Sequence, residues 1–420
     1  MIARLLKDKN QLKSFLYLMI RGVSVAANYI FSILVIRLFS DDVYGQYIFG
    51  LSVFMLLSVF LKAGVDVHFV KTFAEFKPAS VPHWIKKVES RVVVLSLLVS
   101  ALTAVMVYLF HPSDDEARVL IVFIVSVPFY VMVLLNSGKL RGISKITEFA
   151  FLNIAGRIVF TLLFLIGLYY SFMKGNAYSV YFSHLLAVMF LLLVSIYWIR
   201  KEFGYEKIKS KLEIPKSFIS YNKSLLIKSY ITVFFLWGDR FLLSLASENN
   251  EVAKYDISLK IAMLIMIVAE ALKSTYAPVF AKHASDPSQF KSDVIKSTRT
   301  GFVFSLMLFL LILLFGKFLL GLFDESFRDS YMVLIVISVG YTVAAFFGQS
   351  DNILEMTGLV KHYLRYYFLI IVLSLTLGVI LSISMGAMGM GIGIAVGNIV
   401  FQGVASLIVK SKMGIKTTFI

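Results

Sequence analysis

No cysteine occurs in the 420 residues, which excludes disulfides, thiolate metal sites and cysteine nucleophiles and leaves the redox compartment unmarked. Charge is scarce as well: 16% of the residues are charged, against roughly a quarter in soluble globular domains, so water is not the chain's main solvent. The six histidines, His68, His83, His111, His184, His283 and His362, are scattered, and none stands at metal-ligand spacing from another. The sequence therefore implies neither a metal nor another cofactor.

Apolar residues make up 59% of the chain and fall into runs of about twenty, each long enough to cross a hydrocarbon core of roughly 30 Å. The pattern predicts an all-α polytopic membrane protein of about twelve transmembrane helices. Spans are expected near 14–39, 46–70, 91–110, 118–136, 148–170, 177–199, 221–245, 255–277, 300–322, 330–350, 363–384 and 387–409. Met1 to Lys13 carries four cations, but no small-residue cleavage site follows it, so the first helix is expected to stay. A polar, basic stretch from Arg200 to Lys223, interrupted by Pro215, divides six spans from six. The expected organisation is an N-terminal lobe over 1–205, a basic cytoplasmic linker over 206–220 and a C-terminal lobe over 221–420, arranged around a central cavity. An ungapped alignment started at Tyr47 and Tyr255 gives five identities in 26 positions, near chance for apolar helices. It hints at a parallel rather than an inverted repeat.

The net charge of +16 is mostly topological. Most Lys and Arg residues fall in the tails, in the loops on one side or at the helix ends bordering them, whereas Arg118, Lys174, Lys254 and Arg328 fall on the other. The opposite loops are acidic, with Asp41-Asp42, Asp114-Asp115-Glu116, Glu248 with Glu251, and Asp324-Glu325. Under the positive-inside rule both termini and every long loop belong in the cytoplasm of a cell whose inner membrane holds the protein. The positive charge serves insertion and contact with anionic membrane lipid; nucleic acid is not an expected partner.

Cations inside the spans are expensive, at about 2.5 to 3.5 kcal/mol each on insertion scales, and normally face a partner or a wet cavity. Eight lie within or at the rims of helices: Arg21, Arg37, Lys62, Arg157, Lys228, Arg240, Lys260 and Lys317. Arg37, Arg240 and Lys317 are near outer ends and are expected to snorkel. Arg157 sits roughly 13 Å into the fifth span at 1.5 Å per residue, near the midplane, as a cavity cation or half of a buried pair. With Arg21, Lys228, Lys62 and Lys260 it forms the expected cationic cavity. Three carboxylates also enter spans, Asp66, Asp239 and Glu270, and are candidates for H+ or Na+ coupling. Pairing competes with that role: Lys62 and Asp66 are spaced i,i+4, and Asp239 has cations nearby. Asn28, Asn136, Asn153 and Gln402 supply neutral polar groups, either for hydroxyls of a ligand or for bonds between helices. Gly389, Gly393 and Gly397 form small-xxx-small steps, expected to bring two helices close, while Pro128 and Pro278 are expected to kink or end theirs.

The stretch from Gly22 to Asp66, GVSVAANYIFSILVIRLFSDDVYGQYIFGLSVFMLLSVFLKAGVD, resembles the opening of the O-antigen flippases (Wzx-like) of the multidrug/oligosaccharidyl-lipid/polysaccharide exporter superfamily. The turn Ser40-Asp41-Asp42-Val43-Tyr44-Gly45-Gln46-Tyr47 and the ending Lys62-Ala63-Gly64-Val65-Asp66 carry the likeness, and Trp237-Gly238-Asp239-Arg240 through Tyr255 repeats the plan. The resemblance implies a flippase, not an enzyme, that moves an undecaprenyl-diphosphate-linked oligosaccharide, such as an O-antigen or similar surface-polysaccharide repeat unit, to the periplasmic leaflet by alternating access. It also implies a glycan polymerase and a chain-length regulator as partners. A diphosphate suits several fixed cations, because guanidinium forks meet phosphate oxygens in pairs. Two alternatives remain at this level. A cation or drug antiporter of the same superfamily is expected to carry a carboxylate in the first span, and Ser14 to Phe39 has none. A membrane glycan polymerase is expected to need a large outer loop, and the outer loops here are about ten residues or fewer.

Overall fold

The computed structural model describes residues 9–75, 84–110, 115–171, 173–203, 216–283, 287–357 and 359–419, and among these there are helices and no strand. Ten helices among the described residues are long and apolar enough to cross a membrane. Two more, Lys216–Ala246 and Asn249–His283, have the length at 31 and 35 residues but carry several charges, including Asp239, Arg240, Asp256, Lys260 and Lys273. Among the described residues, twelve long helices therefore build this multi-pass membrane protein. Contacts divide the chain into two compact units, Met1–Trp237 and Gly238–Ile420. That division falls inside the seventh long helix, because Tyr230 stacks on Phe60 at 4.1 Å between ring centroids and donates its hydroxyl to the Phe60 carbonyl at 2.9 Å. The basic linker expected over 206–220 lies outside the described residues up to position 215.

The first unit begins with α1 (Lys9–Leu38) and α2 (Asp41–Lys62). Ser40 starts α2 as an N-cap, accepting from the Val43 amide at 3.2 Å, with Asp41 and Asp42 in the first turn to meet the positive end of the helix dipole. The span expected at 46–70 is broken: Ala63 at φ 49 and Gly64 at φ 69 end α2, and α3 (Val65–Glu75) starts afresh. α4 (Trp84–Phe110), α5 (Asp115–Gly142), α6 (Ile146–Ser171) and α7 (Tyr178–Phe203) complete the unit. α5 is its central post, in contact with α2, α3, α4 and α7. Small residues let it be central: a Cβ added at Gly138 would lie 2.4 Å from the Asp66 carbonyl oxygen, and one at Gly142 2.6 Å from the Phe73 Cβ. Pro128 sits within α5, which is helical on both sides of it.

The second unit holds the end of α8 (Lys216–Ala246), α9 (Asn249–His283), α10 (Pro287–Gly321), a 3-10 turn at Glu325–Ser330, α11 (Tyr331–Phe346), α12 (Ser350–Met356), α13 (Val360–Met385) and α14 (Ala387–Met413). Pro278 does not end its helix, which runs on to His283. Because lipid tails are as apolar as leucine, close packing rather than hydrophobic burial holds such helices together. The expected glycine steps do this: a Cβ at Gly393 would lie 2.6 Å from the Gly378 Cα, and one at Gly397 2.3 Å from the Ser374 Oγ, so α13 and α14 meet backbone to backbone. The span expected at 330–350 breaks at Gly348, whose φ is +68. Residues beyond α14 fill that break. The Thr417 hydroxyl bonds Ser350 at 2.8 Å and Ser406 at 2.7 Å, its carbonyl accepts from Thr298, and the Phe419 amide donates to the Phe346 carbonyl at 3.0 Å.

Candidate functional site

The first unit aims Arg157 inward by an irregularity in its helix. Residues Phe151–Ala155 form a π-helical turn inside α6, and Arg157 follows it by two positions. A π turn shifts the register of everything after it and widens the helix, and such turns recur at functional sites. Ser24 of α1 ties the widened turn down by donating to the Ile154 carbonyl at 2.9 Å, and within α6 Asn153 donates to the Phe149 carbonyl at 3.2 Å. Gly156 completes the arrangement, since a Cβ there would lie 2.5 Å from a Leu191 methyl on α7.

The guanidinium of Arg157 lies beside the Tyr130 hydroxyl of α5, and its charge reaches His184 of α7. Its Nη1 is buried and has no hydrogen-bond partner, and among the described residues no carboxylate pairs with it. An arginine held this way keeps hydrogen-bonding capacity and positive charge in reserve in an apolar setting, which is unfavourable until an anion arrives.

The other expected cations stand differently. Lys62 binds Asp66 at 2.6 Å across the break between α2 and α3, with side chains 13% and 16% exposed. Arg21 is exposed on α1, one turn before Ser24. Lys228 lies on α8, and its side chain falls outside the described residues.

In the second unit Lys260 and Asp239 belong to one buried network. Arg240 Nε donates to Asp256 at 2.7 Å, Arg240 Nη1 lies 3.2 Å from Asp239, Lys260 pairs with the second oxygen of Asp256 at 2.9 Å, and the Tyr255 hydroxyl donates to Asp239 at 2.7 Å. Two cations and two carboxylates cancel. The expectation that Arg240 snorkels is overturned, because two buried carboxylates hold it inside. Glu270, one turn from Lys273 on α9, acts on it electrostatically, and Lys273 binds Asp351 of α12. Sequence reasoning missed Asp256, although Lys260 stands at i,i+4 from it, the spacing that marked Lys62 and Asp66. It also missed His184, for which no local signal exists. Of the expected polar groups, Asn136 bonds Ser195 and Lys139, and the Lys139 ammonium is held by Glu89 at 2.5 Å, so Asn136 links helices.

A sequence profile for polysaccharide biosynthesis proteins matches residues 12–284, well over half of the chain. The chain belongs to that family. It is also similar to the probable low-salt glycan biosynthesis flippase Agl15 of Haloferax volcanii, 26% identical over 257 residues, which cover 58% of this chain and 50% of that protein. The chain thus spans half the length of this relative. Among solved structures, the inward-facing conformation of a multidrug resistance MATE family transporter of the MOP superfamily aligns with TM-score 0.71 at 17% identity, covering 95% of this chain and 94% of the other. A MOP superfamily transporter from Pyrococcus furiosus, described as having a binding pocket of reverse polarity, aligns with TM-score 0.62 at 16% identity over 96% of this chain and 94% of its own. The fold is therefore the one seen in these transporters, and the family is that of the polysaccharide biosynthesis proteins.

Proposed function

We propose that the protein flips an undecaprenyl-diphosphate-linked oligosaccharide from the cytoplasmic to the periplasmic leaflet of the bacterial inner membrane, by alternating access and with both termini in the cytoplasm. The observation that carries this reading is Arg157, an interior guanidinium with a buried nitrogen that no residue of its unit satisfies. A diphosphate supplies oxygens in the pairwise geometry that a guanidinium takes, whereas Lys62 and Lys260 are each already paired with a carboxylate. The polyprenyl tail stays in lipid while the sugar head crosses. Family membership supports a glycan cargo, and the Agl15 likeness supports translocation rather than catalysis. A glycan polymerase and a chain-length regulator would receive the product.

Ion coupling belongs to the same proposal. Asp66, Asp239 and Glu270 each have a cation beside them, Lys62, Arg240 and Lys273 respectively. Protonation or Na+ binding at such a carboxylate would release its cation toward the anionic cargo.

A cation antiporter is the second reading, favoured by the fold shared with MATE transporters. Deleting the gene separates the two. The flippase reading predicts accumulation of a polyprenyl-diphosphate oligosaccharide on the cytoplasmic leaflet and loss of the surface polymer. An unchanged surface glycan with altered resistance to cationic dyes would overturn it in favour of the antiporter.

A further inference from the structure

The break between α11 and α12 leaves carbonyls at the end of α11 that no amide of a continuing helix reaches, and they find donors elsewhere. Ala344 and Ala345 accept from the Phe347 and Gly348 amides at 3.1 and 3.0 Å, in a tightened last turn. Phe346 accepts from the Phe419 amide at 3.0 Å, and Phe347 from the Ser350 hydroxyl at 2.8 Å. Each hydroxyl has one proton, which fixes the direction of the chain behind Ser350. Ser350 gives its proton to Phe347, so Thr417 donates to Ser350 at 2.8 Å and Ser406 of α14 donates to Thr417 at 2.7 Å.

The segment that supplies Thr417 and Phe419 leaves α14 at Gly414, whose φ is +67 and whose added Cβ would meet nothing within 4 Å. Its side chains then alternate, with Ile415 and Thr417 buried and Lys416 exposed. Ile415 joins Phe280 of α9, Phe290 of α10 and Ile353 of α12 in one apolar cluster, and the Phe419 ring lies 4.8 Å from that of Phe302 on α10. The Thr417 carbonyl accepts from Thr298 at 3.1 Å and lies 2.8 Å from where a Cβ on Gly348 would stand. The segment is therefore seated directly against the left-handed residue that makes the break.

A second pairing exists for the same carbonyls. In one continuous helix those of Phe346 and Phe347 would accept from the amides of Ser350 and Asp351, four residues on, and would need neither Phe419 nor the hydroxyl chain. A broken helix with the segment docked and a continuous helix with the segment away are thus two complete sets of hydrogen bonds, the discrete alternatives on which conformational switching depends. Because α12 carries Asp351, which binds Lys273 of α9, the choice between them also moves an ion pair of the second unit.

We infer that residues 414–419 are a strap that holds α11 and α12 in the broken form and leaves the break, swinging at Gly414, during each transport cycle. This rests on the flippase reading, and it adds to that reading the helix whose rejoining accompanies transport.

The chain has no cysteine, so a pair introduced at Ser350 and Thr417, whose oxygens lie 2.8 Å apart, has no competing thiol. Ser350→Cys with Thr417→Cys is reconstituted as the full chain in lipid vesicles, with the lipid-linked oligosaccharide extracted from the deletion strain as the probe. Oxidised protein, its strap tied down, should stop flipping, and reductant should restore flipping in the same sample. A segment that only stabilises the fold would leave oxidised and reduced protein equally active, which overturns the inference and leaves the flippase reading standing. Failure of the pair to close on oxidation contradicts the docked strap and overturns it as well. Absence of flipping by the unaltered protein overturns the flippase reading and this inference with it. Should the double variant fail to accumulate, or fail to flip when reduced, hydrogen exchange in the unaltered protein reads the strap directly. Segment 415–419 should exchange faster with the probe present than without it, and equal exchange would overturn the inference.

Discussion

Arg240 on α8 and Asp256 on α9 are joined at 2.7 Å where both side chains are buried, and the same carboxylate holds Lys260 at 2.9 Å through its other oxygen. A buried pair of this kind adds little over well-packed apolar residues of the same size, but breaking it from one side leaves a charge uncompensated, at about 3 to 5 kcal/mol. Asp256→Asn should therefore lower the melting temperature and the amount of protein in the membrane. Combining it with Lys260→Met, which leaves Arg240 paired with Asp239, should recover much of the loss. Thermal unfolding of the purified variants checks both, and an unchanged melting temperature in Asp256→Asn would show that the network is not structural.

Gly393 gives a second, purely steric prediction. Its missing Cβ lies 2.6 Å from the Gly378 Cα, a backbone atom that cannot turn aside. Gly393→Val should separate α13 from α14 and reduce stability by about 1 to 3 kcal/mol, the range for overpacked cores, whereas Gly167→Ala, where nothing lies within 4 Å of the added Cβ, should be neutral. Melting temperatures of the two variants in the same detergent give the comparison.

Much of this fold was legible in the sequence because a membrane imposes it: apolar runs of the right length must be helices. The glycine steps and the pairing of Lys62 with Asp66 were also readable, since helical periodicity alone places those residues together. What could not be read were departures from periodicity. The π turn before Arg157 and the break at Gly348 are met by contacts from distant parts of the chain, Ser24 on Ile154 and Thr417 on Ser350. Arg240 was misjudged for a related reason. Its distance from the helix end suggested snorkelling, but its partner Asp256 stands on the next helix. The setting of His184, against Phe54 of α2 and Phe123 of α5, is invisible to any local pattern.

Topology can be tested without any assumption about cargo. Reporter fusions after Lys13, Lys209 and Lys412 should report the cytoplasm, and fusions after Asp115 and Asn249 the periplasm, following the segregation of Lys and Arg. A periplasmic signal at Lys209 would break the division into six spans and six.

The central claim is that Arg157 contacts the anionic cargo, and it is tested most directly by export activity normalised to the amount of protein in the membrane. If Arg157 grips phosphate, Arg157→Lys keeps the charge, loses the two-pronged contact and should retain partial flipping. Arg157→Gln should lose most of it and Arg157→Glu all, with protein levels near normal, because no carboxylate is left unpaired by the change. An Arg157→Gln protein present at normal level and flipping at the normal rate would contradict the account.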